Sequence, residues 1–158
     1  MKTAVIVDAY RSPVGRSHAE KGVYRDVRSD DLAVTVIRAL VERSGIDPAA
    51  IEDVVLGNTQ QQREQGLNVA RSVGMMAGLP VEAGGATVNR LCGSSLQALA
   101  QASHSILAEA EDVQIVGGLE HMHHIPMEAG FDASPRLFFR HSPATMNMGL
   151  TAENLALR

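Results

Sequence analysis

The segment Asn89-Arg90-Leu91-Cys92-Gly93-Ser94-Ser95 places the chain's single cysteine between a predicted strand and a predicted helix. A cysteine at a helix N-terminus meets the positive end of the macrodipole and N–H groups that the helix leaves unpaired. Both favour the thiolate, the form that acts as a nucleophile. Gly93 and the serine pair permit close backbone approach, so a substrate carbonyl could reach the sulfur. The Cys92 N–H could then face a developing oxyanion. The alternative is a small buried hydrophobe, the common fate of a free cysteine, and spacing alone leaves both open. His121, His123 and His124 form a cluster of imidazoles, a ligand type common at zinc. The cluster lacks HExxH spacing and falls in a predicted loop, so surface or hydrogen-bonding histidines are expected and no metal site. His104, inside a predicted helix, is expected in the core with its ring satisfied. No residue announces itself as the base that a cysteine nucleophile needs. Gly84-Gly85 and Gly117-Gly118 match neither GxGxxG nor a phosphate loop and read as tight turns beside strands. Met75-Met76 and the pair Met146 and Met148 read as packing, although flexible methionines can line an acyl pocket.

The elements that must position Cys92 alternate strand and helix. Ala4-Val5-Ile6-Val7 reads as a short buried strand, followed by a polar loop over 11–28. Ser29 is expected to cap a helix with Asp30 and Asp31 in its first turn. Leu32, Val36, Ile37, Leu40 and Val41 share one face of it, and Gly45 ends it. Asp47-Pro48 opens a further helical turn, and Val54-Val55-Leu56 is a second buried strand. A Gln-rich loop leads to a helix near 67–76, a strand at 86–89, a helix at 96–110 and a strand at 113–116. Such alternation implies an α/β fold with about four mainly parallel strands joined by crossovers. The helix after Cys92 carries no charge from Leu91 to Ala108, so it is expected to be covered on all sides, in part by something outside this chain. Residues 119–149 show no clear periodicity, and a new helix is predicted from Thr151 that stops at Arg158 without a C-cap.

Composition narrows the function classes. The 158 residues are 45% hydrophobic and 20% charged, a folded composition. A net charge of −4 and only 3% aromatic residues argue against a nucleic-acid binder. One cysteine excludes an internal disulfide and a cysteine-cluster zinc site. No stretch reads as a membrane span or a signal peptide, so a cytoplasmic, reducing location is expected.

Several segments together carry a resemblance. Val88-Asn89-Arg90-Leu91-Cys92-Gly93-Ser94-Ser95-Leu96-Gln97-Ala98-Leu99 resembles the nucleophile segment of thiolases. Val5-Ile6-Val7-Asp8-Ala9 with Arg11-Ser12-Pro13-Val14-Gly15 resembles their first strand and loop. Gly117-Gly118-Leu119-Glu120-His121-Met122 and Met148-Gly149-Leu150-Thr151-Ala152-Glu153 are also similar to thiolase motifs, in the same order. Gln60-Gln61, Glu64-Gln65-Gly66 and Glu120 through Met127 look most like bacterial 3-ketoacyl-CoA thiolases of fatty-acid β-oxidation. The resemblance runs the length of the chain and covers less than half of a complete thiolase.

The resemblance implies a layered αβαβα fold, of which 1–120 would be the first βα domain without its last strand and 121–158 the start of the loop domain. It implies transfer of an acyl group from a 3-ketoacyl-CoA to CoA, giving acetyl-CoA and a shortened acyl-CoA. Cys92 would be the nucleophile, with its N–H in an oxyanion hole, and Met148 would line the substrate pocket. Asn147 stands where some relatives place His. The activating His and the second, acid/base Cys would lie beyond Arg158. CoA would be a substrate and no cofactor is implied. The partners implied are a second copy, through the first domain, and a larger subunit with hydratase and dehydrogenase activities. Two alternatives stand beside this reading: a biosynthetic acetoacetyl-CoA thiolase or ketosynthase relative, and a catalytically incomplete fragment.

Overall fold

In the computed structural model, which describes residues 2–157, regular structure begins with α1 (Ser29–Ser44). Val34 and Ile37 are its buried residues on the core side, Asp30 and Asp31 lie in its first turn, and Arg43 lies in its last. Gly45 closes it with φ 67°, a left-handed conformation that glycine adopts without a Cβ penalty. The helix starts one residue earlier than the Ser29 cap predicts. Arg28 is the N-cap, and the Ser29 hydroxyl is spent on Glu64 at 2.9 Å instead of on the helix. Asp47 caps the turn Pro48–Ala50 by accepting the Ala49 N–H.

Three strands follow: β1 (Asp53–Gly57), β2 (Ala86–Val88) and β3 (Gln114–Gly118). Between them run α2 (Val69–Ala77) and α3 (Ser94–Leu107). The sheet order is β2-β1-β3, and both pairings are parallel. The strand period of two divides β1 between two layers. Val54 and Leu56, with Ile115 of β3, pack in one core cluster with Val34 and Ile37 of α1 and Val69, Ala70 and Val73 of α2. On the other face α3 lies across β1 and β3, burying Ala98 and Ala102. The result is an α/β unit with helices on both faces of a parallel sheet, as the alternation of elements predicts.

Three expectations are corrected. Ala4-Val5-Ile6-Val7 is not a buried strand: it lies in no strand, and Val5, Ile6 and Val7 are 70%, 73% and 68% exposed. A groove of about 410 Å³ is lined by both Thr3–Asp8 and Asp112–Val116, and among the described residues no strand pairs with the run. On α3 Leu96 is 71% exposed and Gln101 is exposed, so the described residues cover one face of the helix and leave the other to whatever lies outside them. His104, expected in the core, is exposed on this helix. Gly117-Gly118 is no turn but the end of β3 itself.

The chain divides into two compact units, the first ending at Met127 and the second starting at Glu128. The second holds α4 (Pro135–Arg140), a short helical turn at Pro143–Met146, and α5 (Met148–Ala156). Each of the first two has proline in its opening turn, where a missing N–H costs nothing. Asn147 caps α5 by accepting the Leu150 N–H at 3.0 Å, so this helix begins before the expected Thr151. Among the described residues no helix is long and apolar enough to cross a membrane.

Candidate active site

Because the three strands are parallel, their C-terminal ends share one edge: Gly57 lies opposite both Val88 and Gly118. In open α/β sheets this is the edge where ligands bind. Two glycines let α3 start directly on it. A Cβ on Gly57 would stand 2.3 Å from Ser94 C and Ser95 N, and one on Gly118 would stand 2.0 Å from Ser95 Oγ. The first turn of α3 is therefore pressed onto the ends of β1 and β3, and the residues just before it are held at the sheet edge.

Those residues form a tight turn, Asn89 to Gly93. Leu91 has φ 50°, a left-handed conformation that a leucine holds only when its surroundings over-determine it, at a cost on the order of 1–3 kcal/mol. The surroundings are hydrogen bonds. Asn89 Oδ1 accepts the Leu91 N–H at 2.9 Å, an Asx turn. The Leu91 carbonyl accepts from Ser94 N–H at 3.0 Å and from Ser94 Oγ–H at 2.6 Å. Ser94 Oγ in turn accepts the Arg90 N–H at 2.8 Å, and Gly93 N–H donates to the Arg90 carbonyl at 3.1 Å. Gly93 is the N-cap of α3 and no side chain caps the helix. Cys92 is the residue before that cap, and it is exposed and unpaired in any disulfide. The arrangement presents a solvent-accessible thiol beside a helix start, which suits attack on a substrate carbonyl and does not suit a core hydrophobe.

Other predicted residues are placed elsewhere. Met148 opens α5 in the second unit and is 67% exposed. The histidines near 121 are hydrogen-bonded. His121 and His124 stack with centroids 3.7 Å apart and planes 10° from parallel. His124 Nδ1 faces Glu64 Oε1 at 3.0 Å and its Nε2 faces the Arg25 carbonyl at 2.6 Å. With an acceptor at each ring nitrogen the protonated imidazolium is favoured. The His124 pKa is accordingly raised, first by the Arg25 carbonyl and then by Glu64. Burial alone would raise Glu64, yet its pKa is lowered because Ser29 N–H, His124 and the Ser29 hydroxyl all donate to its carboxylate. Among the described residues no group of three His, Cys, Asp or Glu side chains is arranged to hold a metal ion.

Sequence reasoning missed the polar residues around the turn: Asn89 in its own right, and Thr59, Gln65 and Glu120, which hydrogen-bond beside it. Asn89 carried a usable signal, since asparagine directly after a strand is a common Asx-turn former. The Thr59–Glu120 contact spans 61 positions and left no local pattern.

The chain matches the thiolase N-terminal domain family over residues 4–158. It is 50% identical over 156 residues to a 3-ketoacyl-CoA thiolase of Shewanella denitrificans, an alignment covering 98% of this chain and 40% of that protein. It is 47% identical over 154 residues to that of Psychrobacter arcticus, covering 98% of this chain and 39% of the relative. For the enzyme of Shewanella frigidimarina the identity is 51% over 156 residues, with 98% and 40% covered. The chain thus spans about 40% of the length of the curated relatives it matches. An exposed cysteine on a strained turn at the carboxyl edge of a parallel sheet, inside a match that runs nearly end to end, makes this chain a member of the thiolase family.

Proposed function

We propose that this chain is the N-terminal part of a 3-ketoacyl-CoA thiolase and supplies its nucleophile, Cys92. The Cys92 thiolate attacks the 3-keto carbon of a 3-ketoacyl-CoA. The bond between C2 and C3 breaks, the electron pair leaves with C2 as the acetyl-CoA enolate, and a proton delivered to C2 gives acetyl-CoA. The acyl group stays on Sγ as a thioester. The CoA thiolate then attacks that thioester, releasing the shortened acyl-CoA and free Cys92. Covalent catalysis divides a difficult carbon–carbon cleavage into two easier steps. In this reading the Cys92 N–H stabilises the oxyanion of each tetrahedral intermediate, and Met148 lines the acyl pocket. The proton-transfer groups come from sequence beyond Arg158, as the resemblance implies. CoA serves as substrate, no further cofactor is needed, and the enzyme works in the cytoplasm as a dimer, within a β-oxidation assembly.

The observation that carries the reading is the exposed Cys92 on its strained turn at the carboxyl edge of the sheet. Its test is made in the complete polypeptide that carries residues 1–158. Cys92→Ser is expected to lower kcat by at least about a thousandfold. Mass spectrometry of the wild type, quenched with a 3-ketoacyl-CoA and no CoA, is expected to find the acyl group on Cys92. Turnover that survives Cys92→Ser sinks the proposal. Faster cleavage of four-carbon than of long substrates favours the biosynthetic alternative. The isolated 158-residue chain, lacking the proton-transfer groups, is expected to show no turnover.

A further inference from the structure

Where backbone pairing of the sheet stops, side chains continue it. Past the last register pair, Asn58 N–H donates to the Val88 carbonyl at 3.0 Å and Leu119 N–H donates to the Gly57 carbonyl at 3.1 Å. One residue further, Thr59 stands at the end of β1 between two side chains. Its N–H donates to Glu120 Oε2 at 2.8 Å, and its carbonyl accepts from Asn89 Nδ2 at 2.9 Å. Asn89 uses the other end of its amide to accept the Leu91 N–H at 2.9 Å, and Thr59 Oγ1 donates to the Leu91 carbonyl at 3.4 Å. Glu120 is itself oriented: its Oε1 accepts from Gln65 Nε2 at 2.7 Å. Gln65 is fully buried and accepts the His121 N–H at 2.7 Å. The order Glu120, Thr59, Asn89 repeats the sheet order β3, β1, β2, and Asn89 binds the N–H of Leu91, the residue before Cys92.

We propose that Asn89 and Glu120 are positioning residues for Cys92, forming through Thr59 a polar ladder that holds the Leu91–Cys92 turn in its left-handed conformation. The proposal rests on Cys92 being the nucleophile of the preceding section. Asn89 and Glu120 are both exposed, so their hydrogen bonds add little to global stability. What they fix is a φ of 50° at Leu91, a conformation that leucine would otherwise leave. The Asn89 amide donates to the Thr59 carbonyl and accepts from the Leu91 N–H at once, which an alanine there cannot do. Misplacing a reacting group by about 1 Å can cost on the order of a hundredfold in rate.

The test uses the complete polypeptide carrying residues 1–158, at a temperature where every variant is folded by circular dichroism. Asn89→Ala is expected to lower kcat about tenfold to a hundredfold with KM changed by less than about threefold. Alkylation of Cys92 by iodoacetamide, which demands little orientation, is expected to stay within about threefold of wild type. Adding Leu91→Gly, which frees the left-handed conformation, is expected to restore kcat of the Asn89→Ala variant to within about threefold. Glu120→Ala is expected to cost about tenfold, and Glu120→Gln, which can still accept the Thr59 N–H, less than about threefold. The proposal is overturned if Asn89→Ala and Glu120→Ala keep wild-type kcat while Cys92→Ser is inactive. It is equally overturned if alkylation falls in parallel with kcat, or if Leu91→Gly restores nothing. If Cys92→Ser remains active, the catalytic reading has failed and this inference falls with it.

Discussion

Val5-Ile6-Val7 and Val54-Val55-Leu56 are nearly the same chemistry with opposite fates. Both are runs of β-branched or aliphatic residues of high strand propensity. Val54, Val55 and Leu56 are 0%, 5% and 4% exposed, with β2 on one side and β3 on the other. Val5, Ile6 and Val7 are 70%, 73% and 68% exposed and sit in no sheet. A strand is made by its neighbours. Propensity says that a run fits a pleated surface, and the availability of an edge within hydrogen-bond reach decides whether it joins one. Among the described residues no strand pairs with Val5–Val7.

The largest expected effect tests this contrast directly. In the 158-residue chain Leu56→Ala is expected to cost about 2–5 kcal/mol, the usual loss for deleting a fully buried aliphatic side chain. Ile6→Ala is expected to change stability by no more than about 0.5 kcal/mol, as for an ordinary surface substitution. Urea midpoints at constant m-value read both. Equal costs at the two positions would break the comparison. Repeating Ile6→Ala in the complete polypeptide sharpens it. The resemblance to thiolases implies a further strand beyond Arg158, and a strand that covers Ile6 raises the cost of its truncation to about 2 kcal/mol or more.

A second contrast lies within the sheet, between positions that bear side chains and the two glycines beneath α3. A Cβ at Gly57 would press on backbone atoms of Ser94 and Ser95, which cannot rotate away as a flexible side chain does. Gly57→Ala is therefore expected to cost about 1–3 kcal/mol, the range for overpacking. An unchanged urea midpoint would mean that α3 is not seated on the sheet edge as described.

Much of this was legible in the sequence because it is written in local patterns. The periodicity of α1, its end at Gly45, the Asp47-Pro48 turn and the strand at Val54–Leu56 all follow from residues within a few positions of one another. So does the place of Cys92 between a strand and a helix. The supports of Cys92 were not legible, because Thr59 meets Asn89 across 30 positions and Glu120 across 61. Polar contacts at such separations follow from strand register, which exists only once the sheet is formed. The first strand was misread for the complementary reason. Val5–Val7 and the neutral face around Leu96 state what could be buried, and burial needs a partner that residues 2–157 do not provide.

The smallest expected effect concerns residues 24–25, in the irregular stretch before α1. Tyr24 and Arg25 are tied to the core by their carbonyls, which face His121 Nε2 at 3.0 Å and His124 Nε2 at 2.6 Å. The clasp is closed by Glu64, with Arg28 within 4.0 Å of its carboxylate and Asp26 adding to the field at His124. Its pH dependence follows from the two shifts. His124 is raised above its ordinary 6.5, so its contribution is complete below 6.5 and is lost as pH rises through the higher folded value. Glu64 is lowered below its ordinary 4.5, so its contribution is complete above 4.5 and is lost as pH falls through the lower folded value. The clasp therefore stabilises most between 4.5 and 6.5. Raising the pH from about 6 to about 9 is expected to lower Tm by at most about 4 °C through this contact. His124→Gln, which cannot carry the charge, is expected to remove the part of that decline due to His124. A decline of equal size in wild type and His124→Gln would show that residues 24–25 are held by something other than this clasp.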